Sequence, residues 1–262
     1  MRTFFYTILL VFLFACEELV NPPLKSIEPI LVVEALVTDR EGDSFVRLTK
    51  TTSYNNSGQV PKVSEAVIRL RDDLEKNWNF TETEKGMYRP PIGFKGEAGR
   101  MYELEIIAEN QIITASSYLP SISPIDSLKI EERDFELPLE DGYYLVAYFE
   151  EPISDNNYYM WKILKDNEYI EKDKIFLLED DEINGQKLAY IFYEEIINPD
   201  DSLSMEFYAL NKPAFNYYQI LKELVEQGSP SQSVPENPVT NLKGKAIGFF
   251  NTSSVFKINA RK

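Results

Sequence analysis

The sequence predicts a mainly β protein, a β-sandwich followed by a second β-rich domain that carries one helix. Three observations predict it. From Ile30 to Ser117 short apolar runs alternate with polar residues at near-regular spacing, with turn residues between them, which is the pattern of strands with one buried and one wet face. Aromatic residues make up 13% of the chain, with 16 Tyr and 16 Phe, a composition of folded, strand-rich proteins. Only the stretch from about Pro213 to Gln227 repeats its apolar residues at helical spacing.

The first residues set the location. Arg2 supplies a short positive region, Phe4 to Phe14 form an almost unbroken apolar run, and Leu13-Phe14-Ala15-Cys16 closes it with a small residue before the single cysteine. That layout predicts a lipoprotein signal peptide over residues 1–15, with Cys16 lipidated. The run is too short to span a bilayer as a stable helix. Glu17-Glu18 and the pair Pro22-Pro23 follow, so residues 16–28 are expected to form an extended tether on the lipid.

Residues 29–119 are expected to form the sandwich. Ile30 to Thr38 is rich in β-branched residues, Asp39 to Asp43 is a turn, and Phe45 to Thr49 returns. Val63 to Arg71, Trp78 to Thr81, Gly86-Met87-Tyr88, Met101 to Ala108 and Gln111 to Ser117 supply further strands. Pro120 and Pro124 mark a boundary, because proline-punctuated segments commonly join packed units. In residues 120–262, Tyr143 to Phe149, Tyr158 to Leu164, Leu188 to Tyr193 and Leu203 to Leu210 read as strands, and Lys245 to Phe250 with Val255 to Ile258 as closing strands. Asn211 suits the cap of the helix near 213–227, and Pro213 its first turn.

Val63 to Leu70 followed by Gly86-Met87-Tyr88 resembles the small immunoglobulin- or prealbumin-like sandwiches, the carboxypeptidase-regulatory-like ones among them, of exported bacterial proteins. Leu31 to Asp39, Gly86 to Arg89, Gly99 to Leu104, Leu119-Pro120 through Ser127, Asn237 to Leu242 and Ala246 to Asn251 resemble, in their order and spacing, a Bacteroidota outer-membrane lipoprotein family of unknown function, the DUF4249 family. The resemblance implies a lipidated envelope protein at the outer membrane, on either its cell-surface or its periplasmic face, with a TonB-dependent β-barrel receptor as partner. It transfers no catalytic residue. Glu17-Glu18 resembles the signal that sends such lipoproteins to the outer face.

The chain contains 27 Lys+Arg against 43 Asp+Glu, a net charge of −16. Such a field repels nucleic acid and anionic lipid, so neither is an expected partner and membrane contact is expected through the lipid on Cys16. Absence of histidine removes Ser-His-Asp and Cys-His catalysis and His-ligated zinc; with Cys16 committed to lipid, no catalytic, metal or cofactor site is expected. Asp180-x-Glu182-x-Asn184-Gly185 has the opening spacing of a calcium loop, but Ile191 stands at the twelfth position, where a bidentate Glu belongs, and Asn184-Gly185 is a favoured hairpin turn. Paired acids such as Asp72-Asp73 and Glu150-Glu151 read as solvated surface.

The remaining candidates are a ligand or partner patch of Tyr144, Tyr148, Tyr158 and Trp161, and O-glycosylation at Ser127 and Ser202, where Asp-Ser-Leu resembles a short acceptor motif. The expected function is therefore binding without catalysis, with a glycan-binding or adhesion module and a carboxylate glycosidase as alternatives. Mass spectrometry of membrane-extracted protein is expected to find lipid on Cys16 and residues 1–15 removed, and Cys16→Ser to release the body or leave the precursor uncleaved; an unmodified Cys16 would refute the anchor.

Overall fold

The computed structural model describes residues 28–52, 60–135, 140–153, 157–170, 174–180, 185–226 and 237–261. The expected signal peptide, Cys16 and most of the expected tether lie outside them. The described residues are mainly β, with one helix.

Strands β1 (Leu31–Thr38), β2 (Phe45–Lys50), β3 (Val67–Asp72), β4 (Asn77–Glu84), β5 (Met87–Arg89), β6 (Met101–Ala108) and β7 (Gln111–Tyr118) form the first body. Their alternation is that of the sequence: in β1, Leu31, Val33, Ala35 and Val37 are buried and Glu34 is exposed. The strands join one nine-stranded sheet that curls into a near-barrel. At one corner β4 changes layers. Asn77 to Phe80 pair with β3, Thr81 to Glu84 pair with β5, and the register shifts between Glu82 and Glu84. A strand that bends through a register shift is how one sheet becomes two facing layers. Val33, Leu48, Leu70, Ile106 and Phe250 fill the space between them.

β8 (Ser127–Arg133), β9 (Gly142–Glu150) and β13 (Lys187–Ile197) make a three-stranded sheet. It faces a second sheet of β10 (Tyr158–Lys165), β11 (Glu168–Tyr169), β12 (Phe176–Glu179), β14 (Leu203–Leu210) and β17 (Val255–Asn259), in which β10 pairs with β11, β12 and β14. Tyr159 and Trp161 stack on Phe207 at 4.7 and 5.5 Å between ring centroids. Leu128, Leu145, Ala147 and Phe149 close this core from the other sheet. The opposite face of β10 and β14, with Tyr158, Met160, Tyr208 and Leu210, is buried too, against helix α1 (Lys212–Glu226) and Phe249. Asn211 caps that helix, its Oδ1 accepting the Ala214 N–H at 3.0 Å, while its Nδ2 donates to Ser117 Oγ and the Tyr118 carbonyl of β7.

The boundary expected at Pro120 does not separate two contiguous domains. β15 (Leu242–Lys243) and β16 (Ala246–Ser253) return to the first sheet, β15 beside β7 and β16 parallel to β1 over its whole length. β17 follows after Ser254 and enters the second sheet. The C-terminal strands thus lock the two bodies together, and pairing across some 200 residues leaves no mark in local periodicity. Acidic pairs also depart from solvated surface. Asp72 is buried, accepts N–H groups of Leu74 and Lys76 at 3.0 and 2.9 Å, and pairs with Arg100 at 3.1 Å. Burial opposes its charge, but these donors outweigh burial and hold its carboxyl below the usual range.

Parallel pairing of β1 with β16 requires Gly248. It has φ of 111°, and a Cβ there would stand 1.9 Å from the Val33 carbonyl oxygen. Gly93 has φ of 83° and nothing within 4 Å of its added Cβ. Gly93→Ala should cost about 1 kcal/mol for its backbone conformation alone, and Gly248→Ala on the order of 3 kcal/mol or more, because backbone must move. Urea denaturation checks this; equal losses would mean that the two strands have room to spare.

Candidate functional site

Between the bodies lies a cleft. In β1 the residues that point away from the first core are Val32, Glu34 and Leu36; their partners on β16 are Ile247, Phe249 and Asn251. Facing them are Met160 and Lys162 of β10 and Tyr208 of β14, with Tyr217, Tyr218 and Leu221 of α1. The surfaces enclose a cavity of about 290 Å³. A second cavity of about 320 Å³ continues toward Ile170, Ile175 and Phe176, and the two share Glu34, Met160, Lys162, Tyr218 and Leu221 as walls. The size is that of a small-ligand site, and the walls are apolar and aromatic apart from a few polar groups, as such sites require.

The charge in the cleft comes from one row across three strands, in which Lys162 of β10 pairs in register with Glu206 of β14, and Glu206 with Lys257 of β17. Glu206 is 5% exposed. Its Oε1 takes Lys257 Nζ at 2.6 Å, and its Oε2 accepts the Tyr208 and Tyr169 hydroxyls at 2.6 and 2.9 Å. Burial opposes the Glu206 charge, but these donors outweigh it and hold the carboxyl below its ordinary range. Burial, reinforced by Glu206, pushes the Tyr169 phenol up to about 12 and the Tyr208 phenol higher still, so both remain donors.

Lys162 is left over. Its ammonium stands 5.3 and 5.4 Å from the ring centroids of Tyr208 and Tyr169, within cation–π range. Among the described residues no carboxylate reaches it at ion-pair distance: Glu206 is bound to Lys257, and Glu34, at the exposed edge, to Arg47 at 2.8 Å. Burial lowers its pKa, and Glu206 and Glu34 only partly restore it.

The sequence-predicted patch is not at the surface. Tyr144, Tyr158 and Trp161 are 2%, 6% and 1% exposed. Tyr158 packs on Phe215 of the helix, and Trp161 lies in the second core. Tyr148 is half-buried, its hydroxyl donating to Glu131 and Lys129 lying over its ring. Strands covered on both faces leave no side for a platform. Ser127 is half-buried at the start of β8, and Ser202 is exposed before β14. Lys162, Glu206 and Lys257, which the structure does bring together, carried one signal in the sequence: a single charge inside each of the apolar runs Tyr158 to Leu164, Leu203 to Leu210 and Val255 to Ile258.

Most of the calcium-like loop, Glu182 and Asn184 included, lies outside the described residues; Asp180 does not. Asn157 Nδ2 bridges Glu151 Oε1 at 2.9 Å and Asp180 Oδ2 at 3.2 Å, and Tyr159 donates to the same Glu151 oxygen at 2.8 Å. Both carboxyls are 1% exposed. Among the described residues no group of three or more acidic, His or Cys side chains could hold a metal ion.

Two interlocked bodies of facing sheets, with an apolar cleft at the seam, define a mainly β protein that is one structural unit from β1 to β17. The chain belongs to a family known by its domain of unknown function (DUF4249), whose model matches residues 17–259 and so runs through both bodies. No curated protein matches it.

The Glu151 carboxyl is pushed up by burial, with Asp180 adding to the shift and the Tyr159 and Asn157 hydrogen bonds opposing it. A raised carboxyl means that the folded state holds the proton more tightly than the unfolded one, so this group's contribution is fully present at low pH and is lost as pH rises through the raised value. Glu151→Gln keeps an acceptor for Tyr159 and carries no charge. It should therefore raise the melting temperature at pH 8 and change it less at pH 5; thermal unfolding at the two values is the check, and a uniform loss at both would contradict it.

Proposed function

We propose that this chain is a non-catalytic lipoprotein of the outer membrane, anchored through Cys16, that acts by binding a small ligand in the cleft between its two bodies, as an accessory to a TonB-dependent receptor. The observation that carries the reading is the cavity of about 290 Å³ with apolar and aromatic walls and one uncompensated ammonium. It offers a place for a ligand's body and one polar anchor. What supports the anchor is the apolar run ending at Cys16, and what supports the receptor is the resemblance to envelope lipoproteins. A glycan platform built on Tyr144, Tyr158 and Trp161 is disfavoured, since all three are in the interior.

Purification of the tagged, lipidated protein in mild detergent, followed by identification of what accompanies it, tests the proposal. A stoichiometric β-barrel receptor is expected. Recovery of the protein alone in several detergents, together with turnover of a glycan, would overturn the accessory reading in favour of an enzyme.

A further inference from the structure

The cleft holds two polar groups with unmet capacity. One is the Lys162 ammonium, in contact with the Tyr208 and Tyr169 rings and with no carboxylate at ion-pair distance among the described residues. The other is Asn251, which is 1% exposed and lines the same cavity. Its Nδ2 donates to Ser253 Oγ at 3.1 Å and the Tyr218 phenol stands beside the same amide, while its Oδ1 accepts no hydrogen bond of good geometry among the described residues. A buried amide oxygen without a donor is costly, and a desolvated cation without an anion is costlier. A single ligand can relieve both.

The sign and number of the charges narrow the ligand class. An anion complements the Lys162 ammonium. A phosphate or sulfate dianion is held by several converging donors, commonly arginines or backbone N–H groups; the first cavity is lined by one ammonium, Lys162, and by one carboxylate, Glu34, a set that suits a single negative charge. Phe249, Met160, Leu221 and Tyr217 require the remainder of the ligand to be apolar. We propose that the cleft takes a monocarboxylate with an apolar or aromatic body and one hydrogen-bond donor, its carboxylate on Lys162 Nζ and its donor on Asn251 Oδ1. This rests on the cleft-binding reading above and names its ligand class. With the chain at −16 overall, the field does not steer such an anion inward, so selectivity comes from the desolvated contact in the cleft.

Matched acids and amides separate the class from the cleft. The probes are phenylacetate and phenylacetamide, 4-hydroxyphenylacetate and its amide, and octanoate and octanamide, titrated at millimolar concentration into the full mature chain while the Met160 methyl resonance is followed. The acids are expected to bind at least about tenfold tighter than their amides, and Lys162→Met should bring each pair to near equality. 4-Hydroxyphenylacetate should bind tighter than phenylacetate through Asn251. Should Lys162→Met fail to fold, Lys162→Gln serves in its place. Equal binding of acids and amides, or a preference for acids that survives loss of Lys162, would overturn the carboxylate proposal and leave the cleft as a binding site. No response of Met160 to any compound would overturn both.

Discussion

Everything else in the structure depends on the contact of the first strand, β1, with the penultimate one, β16, made over eight residue pairs. Backbone can come that close only because Gly248 has no side chain to strike the Val33 carbonyl. Once β16 is seated, β15 reaches β7, and the chain leaves Ser254 with no freedom except to enter the second sheet as β17. A body assembled from residues near both ends cannot finish folding before the chain is complete. The loop that must close is long, which slows folding more than it lowers stability.

The seam created in this way is polar in its backbone ties and apolar in its walls. Asn241 holds Phe250 in both directions, its Oδ1 accepting the Phe250 N–H and its Nδ2 donating to the Phe250 carbonyl, with a further bond to the Ser116 carbonyl. Asp39 accepts the Val255 N–H at 2.8 Å, Thr252 donates to Ser117, and Asn211 ties the helix cap to β7. Side-chain amides and hydroxyls satisfy backbone groups where the two sheets part, the places that ladder hydrogen bonds do not reach. With the edges held, sheet faces that do not match in shape leave a cavity rather than a packed interface.

That cavity concentrates the unusual electrostatics. A row of Lys, Glu and Lys across three neighbouring strands carries one excess positive charge, in a chain whose total is −16. Lys257 satisfies Glu206 and also reaches Asp43 at 3.3 Å. Among the described residues, Lys162 has ring faces and no carboxylate at ion-pair distance. A methionine would fill the same space without desolvating a charge, so the lysine is costly for folding. The Glu151 and Asp180 pair is the opposite case, two acids in the second core with an amide and a phenol as neighbours.

What the sequence by itself determined is local. The alternation of Leu31, Val33, Ala35 and Val37, the full span of β6, the strand from Leu203 to Leu210, and a helix with Asn211 as its cap can be read directly, because pleat period, helical period and capping chemistry act between near neighbours. β8 and β12 could not be read, since Ser127–Arg133 is too charged and Phe176–Glu179 too short to show a period. Tertiary structure alone decided that residues 242–253 complete the first body, that Tyr158 and Trp161 point to opposite buried faces of one strand, and that Lys162 sits apart from every carboxylate in the described residues. Each of these is a relation between residues far apart in the chain, fixed by which sheet faces meet, and no local pattern encodes it.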